Sequence, residues 1–296
     1  MTKTMLFLIN PNAGKGGIRS SLLDILDVFT KNNFSVTART TQPSCKTMRD
    51  SDAQYDLIVC CGGDGTLNDC VNEWMALPTR PLFGYIPCGT VNDFAASLNL
   101  PRNPLAAAEA ICKGSVFPCD IGLFAQKYFT YIAAFGAFTE VAYQTPQQAK
   151  NLLGRTAYIL EGIKQLPNIK SYHVSFTYPE GIIEDDFIFG MVTNSSSVGG
   201  FQVNNKRNIF MDDGLFEVTL VKSAKNLIEH QMILNSLLLQ EADSNFIYTF
   251  KTNKLHVVSE TNIPWTLDGE FGGTLRDVHI TNQKRALQIL TPAKEP

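Results

Sequence analysis

No stretch of this 296-residue sequence holds about 18 consecutive apolar residues, so no helix in it is built to span a bilayer. A substrate carried by a membrane is not thereby excluded. Charge of one sign is not in surplus either. The 25 Lys and Arg against 28 Asp and Glu leave a net −3, which gives nucleic acid no reason to bind. A local basic spot remains at Lys206–Arg207. Cysteine occurs seven times but never as Cys-x-x-Cys, and Cys60–Cys61 sit in a strand pattern where cysteine acts as a small hydrophobe. With no secretory leader in view, the expectation is reduced thiols in a cytoplasm. Histidine is scarce and scattered, at His173, His230, His256 and His279, so core or surface roles are expected and a zinc site would have to be assembled by folding. Two nucleotide signatures are also missing. There is no GxxxxGKS/T, which argues against a P-loop, and the GGDG at 62–65 is not GxGxxG. Where a ribose-binding acid would end the second predicted strand, the sequence reads RTTQ, with Thr41 a polar contact for a nucleotide. Hydride transfer on a dinucleotide is a poor fit.

What is present reads as a globular protein, 44% hydrophobic with 10% aromatics and long enough for two domains. TMLFLI (4–9), FSVTART (34–40), YDLIVCC (55–61) and LFGYI (82–86) are four predicted strands, mostly without polar alternation. Helical patterns separate them. Leu22, Ile25, Leu26 and Phe29 share one helical face, with Ser21 and Asp24 spaced as a capping box. Asn103 is placed to cap a helix that Pro104 opens and Gly114 ends. These features predict an α/β fold whose N-terminal part is a three-layer nucleotide-binding domain with a largely parallel sheet. Beyond about residue 120, aromatic and β-branched runs predict a mostly antiparallel, β-rich second domain, interrupted by helices at 148–166 and 226–242. The expected division is 1–122, completed by 281–296 if the ALQIL strand returns, and 123–280.

Three glycine turns follow strands of the first half: NPNAGKG (10–16), GGDGTLN (62–68) and PCGTVNDFA (87–95). Gly62, Gly63 and Gly65 let a bulky anion approach main-chain N–H groups without meeting a Cβ. A helix expected to begin near Leu67 adds its positive end. Thr66 offers a hydroxyl. Asp64 repels phosphate directly but suits a hydrated Mg²⁺. Asn10 is placed to pin the first loop, Lys15 stands near it, and the third turn carries Gly89, Thr90, Asn92 and Asp93. Parallel strands bring their C-terminal ends to one edge, so the turns can converge. One such turn serves geometry equally well; three with oxygen donors and acceptors are hard to explain by folding needs alone.

NPNAG (10–14), GGDGTLN (62–68) and GTVNDFA (89–95) resemble the nucleotide-binding motifs of the diacylglycerol kinase catalytic-domain family, whose wider group includes sphingosine kinases and NAD kinases. The likeness extends to DIG (120–122), YQTP (143–146), MDDGLFEV (211–218) and LDGEFGG (267–273), and is closest to the soluble bacterial diacylglycerol kinases. GTVNDFA favours the lipid-kinase branch over NAD kinases. The resemblance implies ATP and Mg²⁺ as cofactors and phosphorylation of a lipid hydroxyl, most simply diacylglycerol to phosphatidate. It places the organisation of Mg²⁺–ATP on Asp64. It carries nucleotide contacts onto Asn10, Pro11, Asn12, Ala13, Gly14, Gly62, Gly63, Gly65, Thr66, Leu67, Asn68, Thr90, Asn92 and Asp93, which join Thr41 of the RTTQ stretch. Where the family usually reads GGDGTLNEVVNG, this chain reads GGDGTLNDCVNE. Asp69 keeps a carboxylate on a shorter arm, and Glu73 in place of glycine favours a continued helix.

A kinase for an alcohol must align the oxygen with the γ-phosphorus and receive its proton. Glu270, in a Gly-flanked turn after the strand-like IPWTL, is the candidate, and the family likeness assigns it the general-base role. A carboxylate is too weak a base to strip an alcohol in advance, so it accepts the proton late, as charge moves to phosphate. Asp268 is read as satisfying the turn. The resemblance also places a structural Mg²⁺ on Asp213, with the carbonyls of Phe210 and Leu215. Membrane contact is expected to be transient, at the inner face, through 148–166 (with Lys150, Arg155 and Lys164) or through SSSVGGF (195–201) beside Lys206–Arg207. A homodimer is left open. The alternatives are an NAD kinase and a nucleotide-binding regulator that transfers nothing.

Overall fold

The computed structural model describes residues 2–16, 18–42, 46–137, 170–198, 201–202, 209–239 and 245–293. YQTP at 143–146, the helix expected at 148–166 and Lys206–Arg207 lie outside the described residues. The backbone divides into two units, one of Met1–Ile121, Ser195–Asp213 and Gln283–Pro296, the other of Gly122–Asn194 and Gly214–Asn282. The fold is mixed α/β.

In the first unit, β1 (Lys3–Ile9) lies between β2 (Phe34–Thr40) and β3 (Leu57–Gly62), and β4 (Leu82–Pro87) pairs with β3. All three ladders are parallel. The C-terminal strand β15 (Glu270–Thr291) adds a parallel contact to the far side of β4, Ile289 opposite Phe83. The nearly unbroken apolar runs follow from burial on both faces: every residue of β3 is buried. Phe7, Val59 and Cys61 share a core with Ile25 and Phe29 of α1 (Ile18–Lys31) and Ile111 of α4 (Pro104–Lys113). The opposite side of β4 carries Phe83, whose ring meets Trp74 of α2 (Asp64–Met75) edge-on at 6.0 Å. Asn103 caps α4 as its chemistry requires, accepting from the amides of Leu105 and Ala106 at 3.0 Å each. α1 starts earlier than its pattern indicates: Ser21 lies inside the helix and is not its cap. Leu22 and Leu26 are partly buried against the core, as their spacing predicts.

In the second unit the ladders are antiparallel. β7 (Ile132–Gly136) and β8 (Tyr172–Tyr178) each lie between β9 (Gly181–Thr193) and β14 (Lys254–Leu267). β12 (Phe216–Lys222) continues from β9 to β13 (Ile247–Thr252), and β14 forms a long hairpin with β15. The core is aromatic. The Trp265 ring lies 5.0 Å from that of Phe124 and 4.9 Å from that of Phe135. Such pairs add about 0.5–1.5 kcal/mol each beyond area burial. The helix α5 (Leu227–Leu239) falls within the expected 226–242 span. Between β9 and β12 the chain runs through Ser195–Asp213, which groups with the first unit. That segment includes β10 (Ser197–Val198) and β11 (Phe201–Gln202), paired antiparallel.

Candidate active site

The glycine turns after β1, β3 and β4 meet at one edge of the parallel sheet. The Asn10 amide donates to the Cys61 carbonyl at 2.9 Å, and its side-chain amide donates to the Thr66 hydroxyl at 2.7 Å. The Asn10 carbonyl oxygen of the side chain accepts from the Asn12 amide at 3.0 Å. One asparagine thus ties the first turn to the second and shapes its own loop. The first and third turns touch at Gly14, where φ is 54° and a Cβ would collide with the Cys88 carbonyl oxygen. The second and third touch at Gly89, where a Cβ would stand 2.6 Å from the Gly63 Cα. The Cys88 amide donates to the Gly62 carbonyl at 2.7 Å. Side chains have been removed where the three loops press together.

The second turn passes directly into α2. Gly63 is extended at the N-cap, no side chain caps the helix, and the first helical bond is Leu67 amide to Gly63 carbonyl at 2.9 Å. The helix therefore begins at Asp64, three residues ahead of the expected Leu67, because a glycine cap leaves the first turn open. The amides of Gly65 and Thr66 lie ahead of the helix's own ladder. Leu67 is buried, so its contribution is packing and main chain. Asn68 accepts from the Asn72 side chain through its carbonyl and its side-chain oxygen, at 2.9 and 3.2 Å.

Asn92 shapes the third turn in a left-handed conformation, φ 58°. Its side chain accepts from the Gly89 amide at 2.9 Å and donates to the Gly89 carbonyl at 2.8 Å. The buried Tyr85 hydroxyl donates to the Gly62 carbonyl at 3.2 Å, and burial pushes its phenol well up from the usual value. Asp93, 2% exposed, accepts from the Ser197 hydroxyl at 2.7 Å, and its amide donates to the half-buried Asp64 carboxylate at 3.3 Å. Ser195 meets Ser97 at 2.6 Å. Ser195–Ser197 thus brace the third turn, a role that sequence reading missed: three consecutive serines in a strand-rich stretch carry no pattern that says which turn they reach. Thr90 is exposed. Thr41 continues the β2 ladder, its amide donating to the Ile9 carbonyl at 2.8 Å.

Glu73 has a partner that its helical position does not reveal. Its carboxylate accepts from the amides of Thr47 and Met48, with approaches of 2.9 and 2.5 Å. The residue that departs from the family motif anchors the segment following β2. Cys61 near the end of β3 and Cys88 just past the end of β4 bring their sulfurs to 3.3 Å. Their mutual hydrogen bond and burial raise the Cys61 thiol, and the same bond lowers that of Cys88.

In the second unit, Asp268 and Gly269 form a two-residue hairpin with φ of 48° and 83°, the pattern of a type I′ turn. Asp268 is 3% exposed. One carboxylate oxygen accepts from the Thr130 amide at 2.6 Å and its hydroxyl at 2.9 Å; the other accepts from the amides of Tyr131 and Ile132 at 2.9 and 3.0 Å. Asp268 therefore does more than satisfy its own turn: it fastens the hairpin to the entry of β7. Glu270 opens β15 with its side chain exposed. Phe210 is exposed ahead of the turn at 211–214, Asp213 is half-buried within it, and Leu215 follows Gly214, φ 85°.

The donor chemistry fits the groups that the resemblance implies. The glycines let the three turns pack backbone to backbone beside the open amides at the start of α2, an arrangement suited to phosphate, and Asp64 offers the hard oxygen that Mg²⁺ prefers.

A parallel sheet whose strands end in converging glycine turns defines an α/β protein. Residues 4–124 match the diacylglycerol kinase catalytic domain. The chain is 33% identical over 298 residues to a diacylglycerol kinase of Staphylococcus epidermidis, covering 99% of this chain and 93% of that one. It is 33% identical over 300 residues to a diacylglycerol kinase of Bacillus subtilis, covering 99% and 98%. A crystal structure from Bacillus anthracis str. Sterne, assigned as a diacylglycerol kinase, superposes with a TM-score of 0.81 at 26% identity, covering 98% of this chain and 95% of that one. An NAD kinase from Archaeoglobus fulgidus in complex with ATP reaches 0.51 at 13% identity, a likeness of fold alone. The chain belongs to the diacylglycerol kinase family and is a lipid kinase.

Proposed function

We propose that this kinase transfers the γ-phosphoryl group of ATP to the hydroxyl of diacylglycerol, giving phosphatidate and ADP. A three-layer domain of 1–122 with 281–296 would hold the nucleotide, and a β-rich domain of 123–280 the lipid. The observation that carries this reading is the meeting of the three glycine turns at one sheet edge. There, the amides of Gly65 and Thr66 at the start of α2 attract phosphate oxygens. Asn10 holds Thr66 in place, and Gly14, Gly63 and Gly89 let the three turns pack closely beside those amides. Thr41 and Thr90 contact the nucleotide, and Asp64 holds Mg²⁺, which supplies neutralising charge when bound. Glu270 accepts the hydroxyl proton as the phosphoryl group moves. Asp213, with the Phe210 and Leu215 carbonyls, offers hard oxygens for a structural Mg²⁺.

Membrane engagement is transient, at the cytoplasmic face; no described helix is long and apolar enough to cross a membrane. The test is phosphate transfer from γ-labelled ATP to diacylglycerol in mixed micelles, with a sphingoid base and NAD as parallel acceptors. Label in phosphatidate alone supports the reading. Label in NAD alone, or tight ATP binding without transfer to any acceptor, overturns it in favour of an NAD kinase or a regulator.

A further inference from the structure

Folding assembles what the sequence scatters. On the β14–β15 ladder, His256 stands directly opposite His279, and Asp277 is two residues before His279 on the same strand face. The flanking pairs, Leu255 with Ile280 and Val257 with Val278, are buried and turn to the other face, so the three polar side chains point away from the core together. The two imidazole rings lie parallel, 11° apart, with centroids 4.0 Å apart. His256 Nε2 meets Asp277 Oδ1 at 2.8 Å. One donor atom from each residue lies within 4.8 Å of the others. The backbone beneath is fixed from a further side, where the Ala125 amide donates to the His279 carbonyl at 2.9 Å.

We propose that His256, Asp277 and His279 form a binding site for a borderline divalent transition ion of the Zn²⁺ or Ni²⁺ type. Two imidazoles and one carboxylate are the donors such ions favour, whereas Mg²⁺ demands oxygen and near-octahedral geometry. Tetrahedral zinc with bonds of about 2.0–2.2 Å requires donors roughly 3.3 Å apart. Rotation about the outer side-chain bonds closes that gap without moving the strands. The ion takes the place of the shared proton between His256 and Asp277, recruits His279 across the ladder, and leaves its fourth position to water. Bound, it staples β14 to β15, the strands that lead into the Asp268–Gly269 hairpin. This site is independent of the phosphate-transfer reading.

Isothermal titration of the full chain with Zn²⁺, in excess Mg²⁺ and reducing agent, tests the proposal. One ion per chain is expected, with a rise in the melting temperature of the wild type. Outer-shell changes around metals cost 10–100-fold in affinity, so removing a ligand should cost at least about tenfold. H256A and H279A should each show that loss, and D277N a smaller one. All three positions lie at the sheet surface, and far-UV circular dichroism checks that each variant folds. Co²⁺ gives a second readout: visible absorption of tetrahedral type in the wild type, absent in the H256A/H279A double variant. A wild type that takes up no Zn²⁺ overturns the proposal. So does a double variant that binds it with wild-type affinity, which would place the ion on the cysteines or elsewhere.

Discussion

The glycine turns of the first unit and the Asp268–Gly269 hairpin of the second both fix a loop beside a proposed functional group, and they do so by opposite means. Around Gly14, Gly63 and Gly89 the loops press together because side chains are missing, and backbone groups do the positioning. At Asp268 a single buried side chain gathers three amides and a hydroxyl. Phosphate needs many weak, fixed donors, which main chain supplies without entropy to lose. A lone catalytic carboxylate needs a rigid strand start, which one buried anion can anchor. The two designs fail differently, and each can be broken by one substitution.

The largest effect is expected at Asp268. D268A leaves four donors without their acceptor, and each buried donor left unpaired costs about 1–3 kcal/mol. We expect a loss of about 4 kcal/mol or more in urea unfolding, a large share of the roughly 5–15 kcal/mol available to a folded protein. D268N keeps one acceptor oxygen and should recover part of this. If D268A unfolds at the wild-type urea midpoint, the hairpin is held by something other than this carboxylate. Next is Glu270, whose side chain is exposed and carries no structural bond in the hairpin design. E270Q should fold with wild-type stability and retain ATP, while transfer to diacylglycerol falls by roughly 10²–10⁴-fold. Unimpaired turnover would remove Glu270 from the reaction.

How far these designs can be read from sequence differs in the same way. Strand runs, the Asn103 cap and the order of elements were legible because they depend on local periodicity and capping chemistry. The glycine turns were legible because each repeats a strand–glycine–oxygen pattern, and convergence follows from parallel ladders. Long-range anchors were not. Asp268 lies 138 residues from Thr130 in sequence, and nothing nearby marks the pairing. Glu73 looks like an ordinary helical residue until its carboxylate is seen beneath Thr47 and Met48. Ser195–Asp213, embedded in strand-rich sequence, returns to the first unit through contacts such as Ser197 with Asp93, which composition does not encode. The scattered histidines show the same limit, since β14–β15 register alone brings His256 to His279.

A smaller effect is expected from restoring a side chain to the first unit. G14A adds a Cβ that must displace the Cys88 carbonyl and sits on a backbone with φ 54°. The first and third turns should shift by a fraction of an ångström to an ångström, a displacement able to cost about 10²-fold in transfer. The loss should appear with every acceptor lipid, because it acts through the nucleotide. If G14A changes lipid preference and leaves ATP dependence intact, the turns have been assigned to the wrong substrate.

The smallest effect sharpens the comparison, because the first unit also contains a buried carboxylate held by an arginine. Asp52 is 3% exposed and receives Arg39 at 2.6 and 3.1 Å and the Arg49 amide at 2.8 Å. Burial alone would push its carboxyl up, but the Arg39 and Arg49 hydrogen bonds prevail and hold it below the usual range. A carboxyl whose folded value is depressed stabilises the fold above its unfolded value, about 3.9, and loses that contribution as pH falls through the folded one. Asp185, paired with Lys222 at 2.7 Å in the second unit, shifts the same way, burial opposing and the lysine prevailing. The contribution of either pair to the melting temperature should therefore be constant with pH near neutrality and fall with acid below about pH 4. D52N should flatten part of that fall while lowering stability at pH 7, since Arg39 then faces a neutral partner. An acid profile with an unchanged slope in D52N would mean that Arg39 contributes geometry to the first unit and no pH-linked stability.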